Sequence, residues 1–443
     1  MERHCNLLAI KDQYRQLTYT DLYAEVKSHI TYLKKCEIEQ GDCILIIGEK
    51  SCEMLAIILA CIFCNITYVP IEKPISNHRI QKIINDSCAN AYFITGKGIK
   101  KLNDIKLKST ATLIFYTSGS TGVPKAVLIK ENNILNFVDW ALYKFKFVAS
   151  DRFCAFAPWH FDLCILDVFA ALLSGGSIFC VPSSLKAFPY SLVEWLNQMK
   201  ITVIYAVPTA LRHLVKHGHW TPVNHQTIRC ILFAGESYPI NELKKLRRIF
   251  QKPIIANLYG PTETNVCSFC DIPSVKLLDK WSELPIGKGI PGFSLYVVNL
   301  ENQILKKNDN IGELICTGET ISEAYINDRD NKAFVYFQNQ PAYRTGDLVK
   351  ITRNGLVFMG RKDRQLKHHG YRIDPLEIEE HLRQHRSVYD AAVLVFKNQL
   401  IACIAGNHQK CNLSTLASHC LRHFPDYCCP KRFFLFENFI FIK

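Results

Sequence analysis

Apolar and polar residues follow two periods along the first part of the chain, and each period predicts a different element. Residues 17–36 place Leu, Tyr, Val and Ile at helical spacing, and 53–64 form a second, almost wholly apolar helix. The short apolar runs at 43–48 and 65–72 are typical of buried strands. Strands that alternate with helices predict a layered α/β structure. Similar apolar runs recur through 140–270, where we expect the same architecture.

The pattern changes in the last third of the chain. Residues 284–358 contain short strands, glycine and proline turns and few helices, which predicts a β-rich subdomain. The polar stretch Gly360–Asp363 then marks a boundary, after which a hairpin around 368–370, a helix at 375–386 and strands near 391–404 are expected. We therefore predict a large domain over 1–360, built of two β/α-layered subdomains and the β-rich one, and a small α+β domain over 361–443.

Composition agrees with a globular protein of more than one domain. The chain has 443 residues, of which 48% are hydrophobic and 21% charged. Its longest apolar run, Met54–Cys64, is shorter than the roughly 20 residues that a membrane-spanning helix needs. The polar N-terminus is unlike a signal peptide. We expect a cytoplasmic protein that does not insert into a membrane.

The net charge bears on the kind of partner. The formal value is +13, and part of it is local, since 96–108 is a basic segment. A nucleic-acid site would have basic residues interleaved with aromatic ones on one face, and the sequence lacks that pattern. The charge fits either a solvated surface or long-range attraction of an acidic partner.

The 19 cysteines lie singly in apolar segments. Two pairs have C-x-x-C spacing, Cys61 with Cys64 and Cys267 with Cys270. A zinc site needs such pairs close together, on polar or glycine-rich turns, and these are far apart in the sequence. Buried reduced thiols are the better interpretation.

The stretch LIFYTSGSTGVPKAV at 113–127 carries the strongest chemical signal in the chain. An apolar strand ends in a loop of hydroxyl and glycine residues, and Lys125 follows. Glycines let backbone N–H groups approach a phosphate, hydroxyls donate to its oxygens, and the lysine supplies charge. Pro124 and Ala126 stand where a Walker loop has glycine and a serine or threonine. We therefore expect a polyphosphate site outside the P-loop NTPase class.

Three further blocks follow in order: NLYGPTETNV at 257–266, AYRTGDL at 342–348 and GRKDRQLKHHGYRIDPLEIEE at 360–380. Together with the phosphate loop they resemble the motifs of the adenylate-forming enzymes. These include acyl-CoA synthetases, luciferases, D-alanine–carrier protein ligases and the amino-acid adenylation domains of non-ribosomal peptide synthetases. The resemblance implies the family's fold with a small, mobile C-terminal domain. It also implies that a carboxylate reacts with ATP to give an acyl-adenylate and pyrophosphate.

The resemblance implies a role for each block in binding ATP and Mg²⁺. Glu263 would bind the metal, Asp347 the ribose hydroxyls and Tyr259 the adenine by stacking, while Asp363 would form the hinge to the small domain. The implied nucleotide-binding residues are Thr117, Ser118, Gly119, Ser120, Thr121, Gly122, Lys125, Ala234, Gly235, Glu236, Asn257, Tyr259, Gly260, Thr262, Asp347 and Arg361. The implied catalytic residues are Lys125, Thr262, Glu263 and Asp347.

Asp162, in the segment PWHFDLCILDVF, indicates which acid is activated. It matches the position at which amino-acid-activating members carry an aspartate for the α-ammonium group. Members that activate fatty or aryl acids avoid an unpaired buried charge there. A helix-capping aspartate is the structural alternative. The remaining pocket residues implied by the resemblance are nearly all apolar, which favours a small or medium apolar amino acid: Leu163, Leu166, Tyr205, Leu232, Ala234, Leu258, Val266 and Cys267.

The end of the chain departs from the family pattern. The sequence has no carrier-domain motif, so the activated amino acid would pass to a separate phosphopantetheinyl carrier protein. The family's C-terminal Asn-Gly-Lys segment, whose lysine serves adenylation, has no counterpart before Lys443, and His369 stands where arginine is usual. We expect weak adenylation. Two alternatives stay open: a ligase for a non-amino acid, and a truncated relative that binds ATP with little turnover.

Overall fold

A computed structural model describes residues 4–73, 75, 77–102, 110–117, 125–221, 226–318, 320–322, 324–326, 332–368, 370–397, 399–406 and 412–436. Over these residues the architecture is α/β, with two large sheets, a two-stranded hairpin and a small three-stranded sheet. The predicted fold class is confirmed. None of the helices in this part of the chain has the length and apolar character needed to cross a membrane.

The first layered subdomain follows the predicted alternation. Its elements, with two strands that belong to the second sheet, are β1 (Leu8–Lys11), β2 (Gln16–Thr18), α1 (Tyr19–Lys35), β3 (Cys43–Ile47), α2 (Cys52–Phe63), β4 (Thr67–Ile71), α3 (Asn77–Ser87), β5 (Ala91–Ile94), β6 (Gly98–Lys101), β7 (Leu113–Thr117) and β8 (Lys125–Ile129). The sheet order is β6-β5-β3-β4-β7-β8, parallel except at its two edges. Strand β3 is buried throughout, as its continuous apolar run predicts.

The second layered subdomain repeats the pattern. Its elements are α4 (Glu131–Phe145), β9 (Arg152–Ala155), α5 (Ala171–Ser174), β10 (Ser177–Cys180), α6 (Pro189–Gln198), β11 (Val203–Ala206), α7 (Pro208–His217), β12 (Cys230–Phe233), α8 (Ile240–Ile249), β13 (Ile254–Tyr259), β14 (Ser268–Asp271) and α9 (Val275–Leu278). A π-helix at Leu166–Ala170 precedes α5. Strands β9 to β13 are parallel, so their carboxyl ends meet at one edge of the sheet.

The predicted β-rich segment is present. It comprises β15 (Pro285–Gly289), β16 (Ser294–Val298), β17 (Ile311–Thr317), β18 (Phe334–Phe337), β19 (Gln340–Thr352) and β20 (Gly355–Arg361). It is not a separate sheet, because β14 pairs with both β13 and β15. Among the described residues it therefore continues the second layered sheet, and the two form one sheet of 14 strands.

The last part of the chain has its own apolar core. Its elements are β21 (Leu366–His368), β22 (Tyr371–Ile373), α10 (Pro375–Arg383), β23 (Val388–Phe396), β24 (Gln399–Gly406), α11 (Leu413–His423) and β25 (Arg432–Phe436). Helix α10 begins where predicted, with Asp374 capping it and Pro375 in its first turn. It ends at Arg383, three residues before the predicted end at 386. The boundary between domains at 360 and 361 stays a prediction.

Candidate functional site

Two adjoining cavities lie where the carboxyl ends of β11, β12 and β13 meet, the usual place for a ligand in a parallel sheet. The inner cavity has a volume of about 80 Å³ and the outer one about 310 Å³. They share Gly235, Gly260 and Lys367 as lining residues. Lys367 belongs to the hairpin formed by β21 and β22, so the last part of the chain contributes to the walls of both cavities.

The structure brings most of the predicted pocket residues to these cavities. Five of them line the inner cavity: Asp162, Leu163, Tyr205, Ala234 and Val266. Leu258 lines the outer cavity. The other three are buried and line neither cavity: Leu166, Leu232 and Cys267.

Asp162 is the acidic group of the inner cavity that sequence reasoning selected. The cavity is also lined by the charged side chains of Arg79, Arg361, Lys367 and Arg372, beside the apolar ones. Asp162 lies in the turn before the π-helix, so its side chain is set by the loop that follows β9. Burial raises the pKa of Asp162, although a hydrogen bond with the Thr262 side chain acts in the opposite direction. A carboxylate in this position gains most from a cationic partner, because burial penalises its unpaired charge.

The predicted nucleotide-binding residues divide between the two cavities. Those in the described part of the chain that line the outer cavity are Gly235, Glu236, Asn257, Tyr259 and Gly260. Those that line the inner cavity are Thr117, Ala234, Gly235, Gly260, Thr262, Asp347 and Arg361. The residues from Ser118 to Gly122 fall outside the described part, as do His369 and Lys443.

Asp347 is held between the two cavities. The Tyr259 hydroxyl donates to Asp347 Oδ2 over 2.5 Å, and Arg361 Nη1 donates to Asp347 Oδ1. Arg361 also makes two bonds to the predicted hinge residue, Asp363, over 2.6 and 2.8 Å. Asp347 and Arg361 are both almost fully buried, so the pair is fixed rather than solvated. The arrangement presents a carboxylate to any ligand that bridges the cavities.

Four residues that line the inner cavity each have a buried polar atom without a hydrogen-bond partner among the described residues. These atoms are Thr117 Oγ1, at the end of β7, His160 Nδ1, Asn265 Nδ2 and Glu377 Oε1. A buried polar atom without a hydrogen bond is costly, so such atoms mark a place where a polar ligand or water binds. Thr117 pairs with Lys125 in the β7–β8 register, and the Lys125 ammonium lies 4.6 Å from the centre of the Tyr325 ring.

Glu263 takes part in a buried network that the sequence did not predict. Tyr325 donates to its Oε1 over 2.5 Å, and Arg372 Nη1 donates to the same atom over 3.1 Å. The hydroxyls of Tyr325 and Tyr343 lie 3.0 Å apart. Burial favours the neutral form of Glu263, but Arg372 and the Tyr325 hydroxyl outweigh it and lower the pKa of Glu263. Glu263 is therefore ionised and already paired in this arrangement.

The hairpin also contacts the large domain through its turn. The N–H of Gly370 donates to Glu236 Oε1 over 2.6 Å, and Thr209, at the start of α7, donates to Glu236 Oε2. Lys367 Nζ lies 4.0 Å from Asp347 Oδ2. Tyr371 packs edge-on against Phe161, with ring centres 4.7 Å apart. The last block at 360–380 was recognised in the sequence, but Lys367, Gly370 and Arg372 received no role there because the residues that they contact are distant in the sequence.

Glu263, the predicted Mg²⁺ ligand, is buried and lines neither of the two cavities. Among the described residues there is no group of three or more His, Cys, Asp or Glu side chains placed to hold a metal. Glu263 offers the oxygen ligands that Mg²⁺ prefers, and Mg²⁺ commonly takes one or two carboxylates and completes its shell with phosphate and water. The site fits the ion only when Arg372 releases Glu263.

The cysteines agree with the sequence interpretation. Every cysteine in the described part of the chain is a free thiol. Cys61, Cys267 and Cys270 are buried and Cys64 is half-buried. The Sγ atom of Cys267 lies 3.5 Å from that of Cys316, so its nearest thiol is not its C-x-x-C partner.

A family model for the AMP-binding enzymes matches residues 1–112 and 103–326. The chain belongs to the AMP-binding enzyme family. This confirms the resemblance drawn from the four sequence blocks, and with it the predicted use of ATP at the level of the family.

Several relatives and solved structures are similar to this chain over most of its length. An L-proline–L-prolyl-carrier protein ligase of Pseudomonas fluorescens is 30% identical, over 96% of this chain and 92% of that protein. A D-alanine–D-alanyl carrier protein ligase of Bacillus licheniformis is 29% identical, over 88% and 82%. The Vibrio cholerae adenylation domain AlmE, solved with glycyl-adenosine-5'-phosphate, has a TM-score of 0.88 at 20% identity, covering 99% of this chain and 93% of that one.

Proposed function

We propose that this AMP-binding enzyme adenylates an amino acid with ATP and transfers it to the thiol of a separate carrier protein. The observation that carries the proposal is Asp162, a buried carboxyl group in a cavity that the nucleotide-binding residues also line. An α-ammonium group would neutralise this carboxylate, whereas a fatty or aryl acid would leave it unpaired.

L-proline is the amino acid we propose first. Leu163, Tyr205, Ala234 and Val266 offer no charge to a substrate side chain. The pyrrolidine ring of proline is apolar, and its secondary ammonium can donate both protons near one carboxylate. The proline ligase of Pseudomonas fluorescens matches 96% of this chain. D-alanine is the second candidate, because the inner cavity is small and the Bacillus licheniformis relative is a D-alanine ligase.

The reaction follows from the positions of these groups. An oxygen of the amino-acid carboxylate bonds to the α-phosphorus of ATP, and the bond to pyrophosphate breaks. The protein aligns the two reactants and stabilises the charge that leaves, rather than reacting itself. We assign the ribose hydroxyls to Asp347 with Arg361, adenine to the wall that contains Tyr259, and the phosphates to Thr117, Lys125 and the predicted loop at 118–122.

Magnesium binding is part of the proposal. Glu263 would hold the ion together with phosphate oxygens, and the ion would supply positive charge to the leaving pyrophosphate. Arg372 contacts the same carboxylate, so it would have to leave Glu263 before the ion could bind there. We infer that the arrangement described here, with Arg372 on Glu263, is one in which Glu263 does not hold the ion. The small domain at 361–443 would then swing about Asp363 between the two steps.

The second step delivers the amino acid to the carrier. The carrier's thiolate attacks the acyl carbon, and AMP leaves. The hairpin of the small domain closes the inner cavity through Gly370 and Tyr371, so it forms part of the wall that an entering thiol must pass. A cytoplasmic location remains a prediction from the sequence.

Amino-acid-dependent exchange of pyrophosphate into ATP tests this proposal. The protein is assayed with each of the twenty amino acids, D-alanine, a fatty acid and an aryl acid, with Lys125→Ala as the blank. We expect the strongest exchange with L-proline. Exchange with D-alanine alone would select the second candidate, and exchange only with fatty or aryl acids would reject the amino-acid assignment. ATP binding without exchange for any acid would favour the truncated, weakly active relative.

A further inference from the structure

Glu377, in the first turn of α10, is a buried acid that has no part in the proposed adenylation step. It lines the inner cavity together with Asp162, Thr262 and Tyr371. Its exposed fraction is 6%. The last part of the chain therefore adds a further buried carboxyl group to the cavity in which the acyl-adenylate is expected to form.

A structural role explains only part of this placement. An acidic residue in the first turn stabilises a helix through the helix dipole, but an exposed side chain serves that purpose equally well. The N-cap position is already filled by Asp374, whose Oδ1 accepts from the N–H of Leu376 over 3.0 Å. Glu377 Oε1 is buried and has no hydrogen-bond partner among the described residues. Because an unsatisfied buried oxygen is costly, it marks a place for a donor that binds in the cavity.

The charges around Glu377 tune its affinity for a proton. Burial is the largest influence and raises the pKa of Glu377. Arg79 and Lys82, both on α3, act in the opposite direction, whereas the acids Asp374 and Glu380 raise the pKa further. The resulting pKa is about 7. Glu377 is therefore close to half-ionised at neutral pH, which suits a group that accepts and releases a proton.

Two other titratable groups face Glu377 from the short 3₁₀ turn at Asp426–Cys428. Tyr427 and Cys428 line the same cavity, and Glu377 raises the pKa of each. Burial already holds the pKa of both well above their ordinary values, so neither is ionised near neutral pH. Of these three groups, Glu377 is the one that can exchange a proton under those conditions.

We propose that Glu377 is the general base of thiol transfer, which takes the proton of the acceptor thiol as its sulfur attacks the acyl-adenylate. This inference rests on the proposed function. A carbon–sulfur bond forms, the carbon–oxygen bond to AMP breaks, and the S–H proton passes to a carboxylate oxygen of Glu377. The proton moves on to water when the products leave, so no further reactant is needed. A base is useful here because a thiol with its ordinary pKa of about 8.5 is mostly protonated at neutral pH.

The position of Glu377 in the chain links it to the second step. Helix α10 directly follows the β21–β22 hairpin, so a movement that withdraws the hairpin from the cavity also withdraws Glu377. The base would then be present when the hairpin closes the site, and absent when the small domain has swung away. Loss of Glu377 should therefore affect transfer more than it affects pyrophosphate exchange.

The test compares Glu377→Gln with Glu380→Gln. The first keeps the size of the side chain but removes its ability to accept a proton. The second removes the same charge from an exposed position of α10 that does not line the cavity. Single-turnover transfer from preformed aminoacyl-adenylate is measured between roughly pH 6 and pH 9. The acceptors are free pantetheine and the thiol-bearing prolyl carrier protein of the Pseudomonas relative, and pyrophosphate exchange is measured on every variant.

We expect the ratio of transfer to exchange at pH 7 to fall about 10²-fold or more in Glu377→Gln and to be retained in Glu380→Gln. Wild-type transfer should rise with pH through about 7 and then change little. Transfer by Glu377→Gln should instead keep rising towards the pKa of the thiol, because only thiolate that is already ionised can react.

Lys82→Gln provides a second measurement. Lys82 lowers the pKa of Glu377 without lining the inner cavity, so its loss should move the midpoint of the transfer profile to higher pH. A purely structural role for Glu377 would not produce this shift.

Three results would overturn the proposal: equal transfer and pH profiles in Glu377→Gln and the wild type, equal loss of exchange and transfer in Glu377→Gln, or wild-type exchange without transfer to either thiol. Absence of exchange in the wild type would instead reject the proposed function.

Discussion

At the scale of single residues, we propose that Asp162 decides which acid the enzyme activates. We predict that Asp162→Ala lowers kcat/KM for the amino acid in the exchange assay by roughly 10²- to 10³-fold, the effect expected when one partner of a buried charge pair is removed. Asp162→Asn keeps the shape of the side chain but removes its charge, and it should lower kcat/KM for the amino acid to a similar degree. Unchanged dependence on the amino acid in Asp162→Ala would show that this carboxylate caps local structure instead.

His160 makes folding stability depend on pH. Burial, together with Lys186 and Arg79, lowers the pKa of His160 to about 4. The unfolded chain therefore binds the proton at higher pH than the folded one, and stability is lost as pH falls from about 6.5 towards 4. We predict that lowering the pH from 7 to 5 reduces the free energy of unfolding, measured with urea, by about 2 kcal/mol less in His160→Gln than in the wild type. Parallel losses in the two proteins would mean that His160 is not the group responsible.

Residue-level prediction from the sequence worked where a motif fixed the neighbours. Asp162, Thr262 and Asp347 all reach the inner cavity, as their blocks indicated. The pairing of Glu263 with Arg372 was not predictable, because 109 residues separate them and neither stands in a pattern that names its partner. Tyr325 had no signal at all, since a lone tyrosine outside any motif is typical of many short segments.

At the scale of elements, the β21–β22 hairpin couples the small domain to the site. Gly370 has φ +79°, and a Cβ there would lie 2.3 Å from Val207 Cγ1. We predict that Gly370→Ala reduces transfer to the carrier at least tenfold and leaves pyrophosphate exchange intact, because the clash and the backbone strain oppose closure of the hairpin.

Val207→Ala provides the matched control for this prediction. It removes the methyl group that the new Cβ would meet, so the double variant should recover part of the transfer rate. Equal loss of exchange and transfer in Gly370→Ala would show that the turn supports the fold generally rather than the second step.

Arg372, in the same hairpin, should control how tightly the protein binds Mg²⁺. While Arg372 occupies Glu263, the fraction of molecules able to bind Mg²⁺ is reduced, which weakens its apparent affinity. We predict that Arg372→Gln lowers the Mg²⁺ concentration for half-maximal exchange roughly threefold or more. Glu263→Gln should raise it instead. An unchanged requirement in Arg372→Gln would mean that the ion does not compete for this carboxylate.

Elements were predictable where local signals agreed. Helix α1 runs from Tyr19 to Lys35, within two residues of the apolar pattern, because Thr18 and Asp21 form a capping box at its start. The π-helix at Leu166–Ala170 was not anticipated. A run of five residues is too short for its apolar spacing to distinguish a π-turn from an α-turn.

At the scale of the whole molecule, the sequence predicted the separate subdomains but not how their sheets are connected. The change from helical to short-strand patterning after 284 located the β-rich segment. It gave no indication that β14 and β15 would pair and merge two sheets, because the apolar pattern of a strand shows which face is buried but does not identify the strand with which it pairs. The position of the small domain over the site depends on single contacts such as Gly370 with Glu236.

The central claim is that the protein forms an aminoacyl-adenylate. The most direct test is to mix it with ATP, Mg²⁺ and L-proline for a single turnover, quench in acid and identify the products by mass spectrometry. We predict prolyl-AMP and pyrophosphate in equal amounts, with both formed roughly 10²-fold or more slowly by Asp162→Ala. Hydrolysis of ATP to ADP and phosphate, or the absence of any aminoacyl-AMP with proline, D-alanine or another amino acid, would contradict it.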